Sequence, residues 1–373
     1  MLAVSFAVTL GGLWLDWQAG GHAWQQADWL IHADAGPVRR GLFGSAMLWL
    51  AALSGLSPVT VVIMVQGALV IALYAVTCVL LRDRRLGWIA PVIAFSPLFF
   101  AVFWAQDPDG GLRKDLWAFL ALLILAAGGA PWRMWLAGAL FVCGLAGHEA
   151  LILFLPAMIA LAALTQRRRA ALGFAAVLAL LGAGLMLWHL RFPVGDAAAI
   201  CAALAGPDLP QGFCDGAIRW VGAAPEAHLT RPAQRLSPSN LGQLAISLGA
   251  ALVPLVLLCA VGTVRTRRIL MAVLVLSALP YLPLYLVAID WGRWMSFHIV
   301  TVAALMIALV RTGRLSPPAT YRAPLIALCA PIVVAPHHYI GVNPDAWVFA
   351  LLGVVLCLAA LAWHAAKRRA DPA

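Results

Sequence analysis

The sequence predicts an all-α polytopic membrane protein, and three observations carry that expectation. Of the 373 residues 64% are hydrophobic, and the mean hydropathy is +0.93. Only 11% are charged, against about 25% in an ordinary soluble domain. Apolar runs recur along the whole chain, punctuated by basic clusters: "RDRR" (82–85), "QRRRA" (166–170), "RTRR" (265–268), "RTGR" (311–314) and "KRR" (367–369). A helical bilayer crossing takes about 20 mostly apolar residues. The chain therefore has room for roughly 11–13 transmembrane helices, forming one transmembrane domain over 1–373 with no soluble domain of any size.

The formal net charge of +10 would point to nucleic acid in a soluble protein. Here each basic cluster opens or closes an apolar run, which is the positive-inside pattern of cytoplasmic loops. A nucleic-acid surface needs its charges on one continuous face. The lipid bilayer, not nucleic acid, is the expected partner.

Taken in order, residues 1–15 read as a short first span and 16–40 as a loop. The segment "GLFGSAMLWLAALSGLSP" (41–58) is marginal for a crossing and reads as an interfacial or re-entrant helix. The first outer loop is thus 16–57. Further spans are expected at 58–81, 88–104, 116–130, 134–147, 150–165, 171–190, 241–263, 269–289, 295–311, 322–340 and 345–365. With the basic clusters in the cytoplasm, the outward segments are 105–115, a tight turn at 147–149, one longer loop at 191–240, the "DWGRW" turn and a short loop near 341–345. Of the 15 acidic residues only Asp83 and Asp371 then lie inside.

Prolines and mixed polarity in 191–240 suggest short helices joined by turns. Cys201 and Cys214 are the two cysteines of that loop, and an oxidising exterior favours a disulfide between them. Cys78, Cys143, Cys259, Cys329 and Cys357 fall within spans and read as small apolar packers.

Several outer charges sit at span ends: Arg113, Lys114 and Asp115 in "GGLRKDLWAFLAL", His148 and Glu149 in "AGHEALILFLP", Asp290 and Arg293 in "DWGRW". An ionised group beside hydrocarbon is costly unless it is paired or faces a wet cavity, which makes these residues functional candidates. Each has a plain reading too. Asp290 and Arg293 would form a local ion pair anchored by tryptophans, "RKD" a loop end, and Glu149 a helix-start acid favoured by the dipole. Their convergence on one face favours the functional reading.

The first loop adds Asp28, Asp34, Arg39 and Arg40 in "WQQADWLIHADAGPVRRGLFG" (24–44). Candidate catalytic acids are therefore Asp34, Asp28, Glu149 and Asp290, with Asp115 behind them. A carboxylate there suits a general base or a ligand for a divalent cation. Arg39, Arg40, Arg113, Lys114, Arg293 and His148 are the candidate phosphate binders, since a guanidinium fork matches phosphate oxygens. "HEALI" lacks the second histidine of a zinc-protease helix, and "PHHY" (336–339) offers a histidine pair that at a span end is more often structural than metal-binding. No phosphate-cradling glycine loop or dinucleotide fingerprint occurs, so an ATP-driven pump has no support.

The acidic first loop running into "VRRGLFG", then "RKDLWAFLAL", "GHEALILFLP" and "DWGRW", resembles the bacterial polytopic glycosyltransferases of the GT-C and polysaccharide-polymerase type. The resemblance spans the topology of most of the chain but only four short motifs. It implies an enzyme of the bacterial cytoplasmic membrane, active face outward, that takes a polyprenyl-phosphate-linked sugar and passes it to a glycan or lipid acceptor in cell-envelope assembly. An acid in the first loop would act as base or metal ligand, with Asp34 the best match and Asp28 the second. Arg293 and the Arg39/Arg40 pair would hold the donor phosphate. The paired acids of many members are absent, as Asp28 and Asp34 stand six apart, which leaves the metal requirement and the identity of the base open.

A transporter or flippase of a lipid-linked or small anionic substrate is the alternative. Such proteins put ionisable groups or broken helices near the midplane and often repeat their halves. Mid-span positions here are almost free of charge, but the prolines of "LPYLPLYL" (279–286) keep that reading alive.

Overall fold

The computed structural model describes residues 1–204, 209–223, 230, 234–261, 263–317, 334, 336–339 and 355. All but residue 355 of the span expected at 345–365, most of that at 322–340 and the "KRR" cluster lie outside the described residues. Within them the fold is all-helical, without a strand. Among the described residues five helices are long and apolar enough to cross a membrane: Pro58–Leu81, Arg168–Arg191, Pro238–Val256, Val264–Val287 and Trp291–Arg311.

Helix α1 (Leu2–Gln18) runs past its expected end and takes in Asp16, which the sequence placed in a loop. Helix α2 (Gly41–Ser54) has 14 residues, about 21 Å at 1.5 Å per residue. That falls short of an apolar core of about 30 Å, so α2 alone does not cross. Helix α3 (Pro58–Leu81) starts where Ser57 accepts from the Thr60 amide and Pro58 presets the first turn.

The single span expected at 88–104 is two pieces, α4 (Ile89–Ala94) and α5 (Phe100–Gln106). Pro97 lacks an amide proton and pushes Ser96 out of helical conformation, which explains the break. Helices α6 (Asp115–Ala127) and α7 (Pro131–Gly147) follow. A 3₁₀ turn, Glu149–Phe154, then leads into α8 (Leu155–Thr165). Helix α9 (Arg168–Arg191) is continuous. The long loop carries α10 (Ala197–Leu204) and α11 (Ala217–Val221), and a disulfide joins Cys201 to Cys214. Beyond it lie α12 (Pro238–Val261) and α13 (Val264–Ala278). The latter passes through a 3₁₀ turn at Leu279–Tyr281 into α14 (Leu284–Val287). Pro280 and Pro283 account for that irregularity, because each removes a helical hydrogen bond.

Helix α15 (Trp291–Arg311) includes the "GRW" that the sequence read as a turn, and its apolar length is wholly buried. It packs on α6, α8, α12 and α13. Phe297 meets Phe154 and Phe119 at ring separations of 4.8 and 5.8 Å, and Thr301 bonds the Tyr281 hydroxyl at 2.7 Å. The peripheral α9 instead turns Leu180, Leu187 and Leu190 outward, as a lipid-facing helix does.

Two charged ends result. At one, Arg311 pairs with Asp83 and bonds the Ala127 carbonyl. At the other, the first loop, 107–115, 147–149, 290–293 and 336–339 converge. The first loop is not an open connection. Residues 25–32 are buried, and Gln66 of α3 holds them, donating to the carbonyls of Gln25 (3.2 Å) and Leu112 (2.6 Å) while accepting from Gln26 Nε2 (2.9 Å).

Candidate functional site

At this second end, side chains from four segments interlock. Arg40 donates through Nε and Nη2 to both oxygens of Glu149, at 2.8 and 2.7 Å, and through Nη1 to Asp28 Oδ1 at 3.2 Å. Arg39 Nη1 lies 3.7 Å from Glu149. The Lys114 ammonium, fully enclosed, donates to the carbonyls of Asp28 (2.7 Å) and Gly147 (2.8 Å) and lies 3.5 Å from Asp28 Oδ2. A second knot is tied by Arg293, which forks onto both oxygens of Asp115 at 3.0–3.2 Å and reaches Asp290 Oδ2 at 2.5 Å.

Backbone geometry supports the arrangement. Arg40 adopts φ +66° and Leu112 φ +56°, a left-handed conformation that costs a side-chain-bearing residue about 1–2 kcal/mol. Such strain persists where surrounding contacts over-determine it. Here the Arg40 amide donates to His189 Nδ1 (3.2 Å), whose Nε2–H donates to the Leu145 carbonyl (2.9 Å). The Leu112 carbonyl receives Gln66 and the Trp29 indole.

The electrostatics follow from burial and pairing. Burial opposes ionisation of Asp28, but Lys114 and Arg40 outweigh it and hold the carboxyl below its usual range. Glu149 is likewise pulled well down, against its burial, by Arg40. Burial lowers Lys114 to about 8 despite the pull of Asp28. The same contact thus moves its two partners unequally, and both remain charged at neutral pH. Burial also holds His148 well below its ordinary value. Its Nδ1 accepts the Ala150 amide at 3.2 Å, so it is neutral, and its 4.0 Å approach to Glu149 is no ion pair.

Counting formal charges, Arg39, Arg40, Arg113, Lys114 and Arg293 face Asp28, Asp115, Glu149 and Asp290, one cation in excess. Arg113 is the odd one. It is 6% exposed, and its buried Nε has no hydrogen-bond partner among the described residues. It lies over the Trp24 ring at 5.8 Å, within electrostatic reach of Asp290 and Asp28.

The structure thus brings together Asp28, Arg39, Arg40, Arg113, Lys114, His148, Glu149, Asp290 and Arg293, with Asp115. Asp34, the preferred loop acid, stands apart: it is exposed and accepts from Ser45 at 2.5 Å. Arg293 and Arg40, expected to hold phosphate, spend their forks on carboxylates. Sequence reasoning missed Gln66, His189 and Asp107, and it read the His337–His338 pair of "PHHY" as structural. A polar or imidazole side chain inside an apolar run was the signal for Gln66 and His189, and it did not say which partner each would meet. No protein-family profile matches this chain, and neither a characterised protein nor a solved structure does.

Proposed function

We propose that the protein is a membrane glycosyltransferase that moves a sugar from a polyprenyl-phosphate-linked donor to a glycan or lipid acceptor at the outer face of a bacterial cytoplasmic membrane. The observation carrying this reading is Arg113, a buried guanidinium with no bonded carboxylate among the described residues, in a site whose described charges leave one cation in excess. A desolvated cation of this kind is completed by an anion, and a phosphate suits its fork.

Asp290 is the residue best suited to act as base. Asp28 and Glu149 are held down by their cations, and Asp115 has both oxygens on Arg293. Asp290 commits one oxygen to Arg293, is 23% exposed, and lies within electrostatic reach of Arg113. In the reaction, Asp290 takes the proton of the acceptor hydroxyl as its oxygen bonds to the sugar's anomeric carbon. The bond from that carbon to the phosphate oxygen breaks, and polyprenyl phosphate leaves against Arg113. Arg293 ties the Asp290 segment to Asp115 beside Arg113, and Lys114 ties the segment of Arg113 and Asp115 to Asp28 and Gly147.

A transporter of an anionic substrate is the second reading, favoured by the interrupted helices α4–α5 and α13–α14, since discontinuous helices line many transport sites. The test is the surface-glycan profile of a deletion strain complemented with the parent, Arg113→Met, Asp290→Asn or Asp34→Asn, each at equal membrane abundance. The expected result is a lost or shortened glycan restored by the parent and Asp34→Asn but by neither of the others. An unchanged profile on deletion sinks the transferase reading in favour of the transporter; full rescue by Arg113→Met removes the phosphate role.

A further inference from the structure

Next to this network, Asp107, His337 and His338 form a cluster of their own, with one potential ligand atom from each lying within 4.8 Å of the others. We propose that the cluster binds a divalent transition ion of the zinc class, joining the loop after α5 to segment 336–339. The inference does not depend on the transferase reading.

The donor set comes first. Two imidazoles and a carboxylate are the three-ligand set with which zinc keeps a fourth position open. A calcium or magnesium site would be built from oxygens instead. Asp107 and His338 are 3% and 4% exposed, so the groups are already drawn out of bulk water, while His337 is half-buried and leaves a path for the ion.

The orientation is that of a ligand set. His338 Nδ1 lies 2.8 Å from Asp107 Oδ2, which also accepts the His338 backbone amide at 2.5 Å. His338 Nδ1 and Asp107 Oδ2 already face one another, so an ion would take the place of the proton between them, with His338 ligating through Nδ1 and Asp107 through Oδ2. His337 stacks on His338 with ring centres 4.3 Å apart. Its Nδ1 accepts the Tyr339 amide at 3.1 Å, and that bond is exchanged when the ring turns onto the metal. Bonds of 2.0–2.1 Å in a tetrahedron put ligand atoms about 3.4 Å apart, so loading would open the His338–Asp107 pair slightly from 2.8 Å and bring His337, whose ligand atom lies within 4.8 Å, inward by side-chain rotation.

The backbone carries the cluster to the site. The amides of Gly292 and Arg293 donate to the carbonyls of Tyr339 (3.1 Å) and His338 (3.4 Å). Position 292 must be glycine, because any Cβ there would overlap the His337 carbonyl. A metal here would stiffen the start of α15, where Arg293 and Asp290 sit. It would also stand near the cavity lined by Thr9, Asp16, Asp109 and Trp104, since Asp109 is within electrostatic reach of His337.

The test uses the full chain purified in detergent without a polyhistidine tag. Zinc content is measured after dialysis against zinc chloride and then against a competing chromophoric chelator. About one zinc per chain is expected, with affinity lowered at least about 10–100-fold in His338→Ala and in Asp107→Ala and unchanged in the control His22→Ala. X-ray absorption of the zinc-loaded parent, which needs no variant to fold, should show two imidazoles and at least one further oxygen. Substoichiometric zinc, equal affinity in all variants, or a shell without imidazole overturns the proposal.

Discussion

Replacing Arg293 by methionine keeps an unbranched apolar stem, shorter than the arginine, and removes the charge that two carboxylates share. Asp115 is 3% exposed and Arg293 4%, so the single change leaves a buried acid that must stay charged beside Arg113 alone or take up a proton. Breaking a buried pair from one side costs about 3–5 kcal/mol. The Asp290 contact adds little, because Asp290 is 23% exposed and exposed pairs are worth at most about 1 kcal/mol. Removing both charges with Arg293→Met/Asp115→Leu is expected to be neutral or stabilising, since apolar replacements of a buried pair often gain about 1–4 kcal/mol. The two substitutions would therefore couple by about 3 kcal/mol or more, a folded-to-unfolded ratio changed by more than about 100-fold. Equilibrium unfolding in mixed micelles, followed by tryptophan fluorescence, reads all four corners of the cycle. A single variant within about 1 kcal/mol of the parent, or a double variant equal to the sum of its parts, would refute the reasoning. A stable double variant without activity would show that the pair is kept for function.

Other outcomes follow from the same contacts. Gly44→Ala places a methyl group on the Ile31 carbonyl, rigid backbone that cannot step aside, so thermal unfolding should show a loss at or above the 1–3 kcal/mol range of overpacking. Lys114 is cationic below about 8 and neutral above it, so the apparent affinity for an anionic donor should fall as pH rises through that value, and Lys114→Met should flatten this limb of the KM profile. Its folded pKa lies below the unfolded 10.5; the unfolded chain therefore holds more protons between about 8 and 10.5, and the Lys114 contribution to stability rises with pH across that window. Cys201→Ser/Cys214→Ser opens a loop of sequence separation 13, worth about 3 kcal/mol by chain entropy, and hydrogen exchange should quicken across α10 and α11 while α15 stays protected.

Composition alone pointed to the solvent of this protein: few charges and long apolar runs fit a helical membrane protein, because lipid-facing helices keep their apolar side chains out of water. The five long apolar helices fall on runs that were legible in the sequence, and so were the groups worth watching, since a charge at the edge of an apolar run is expensive enough to stand out. Periodicity could not say that 88–104 would split at Pro97, or that 25–32 would fold inward against Gln66. Nor could it rank the acids. Asp28 and Asp34 look alike in one loop, yet one is enclosed by Arg40 and Lys114 and the other is exposed beside Ser45. Pairing across 86 or 178 positions of sequence leaves no local pattern, because it is set by which helix ends the bundle brings into one plane. Only the tertiary structure decided that Arg40 and Arg293 pair with carboxylates while Arg113 meets none among the described residues, since guanidinium groups differ in their neighbours and not in their spelling.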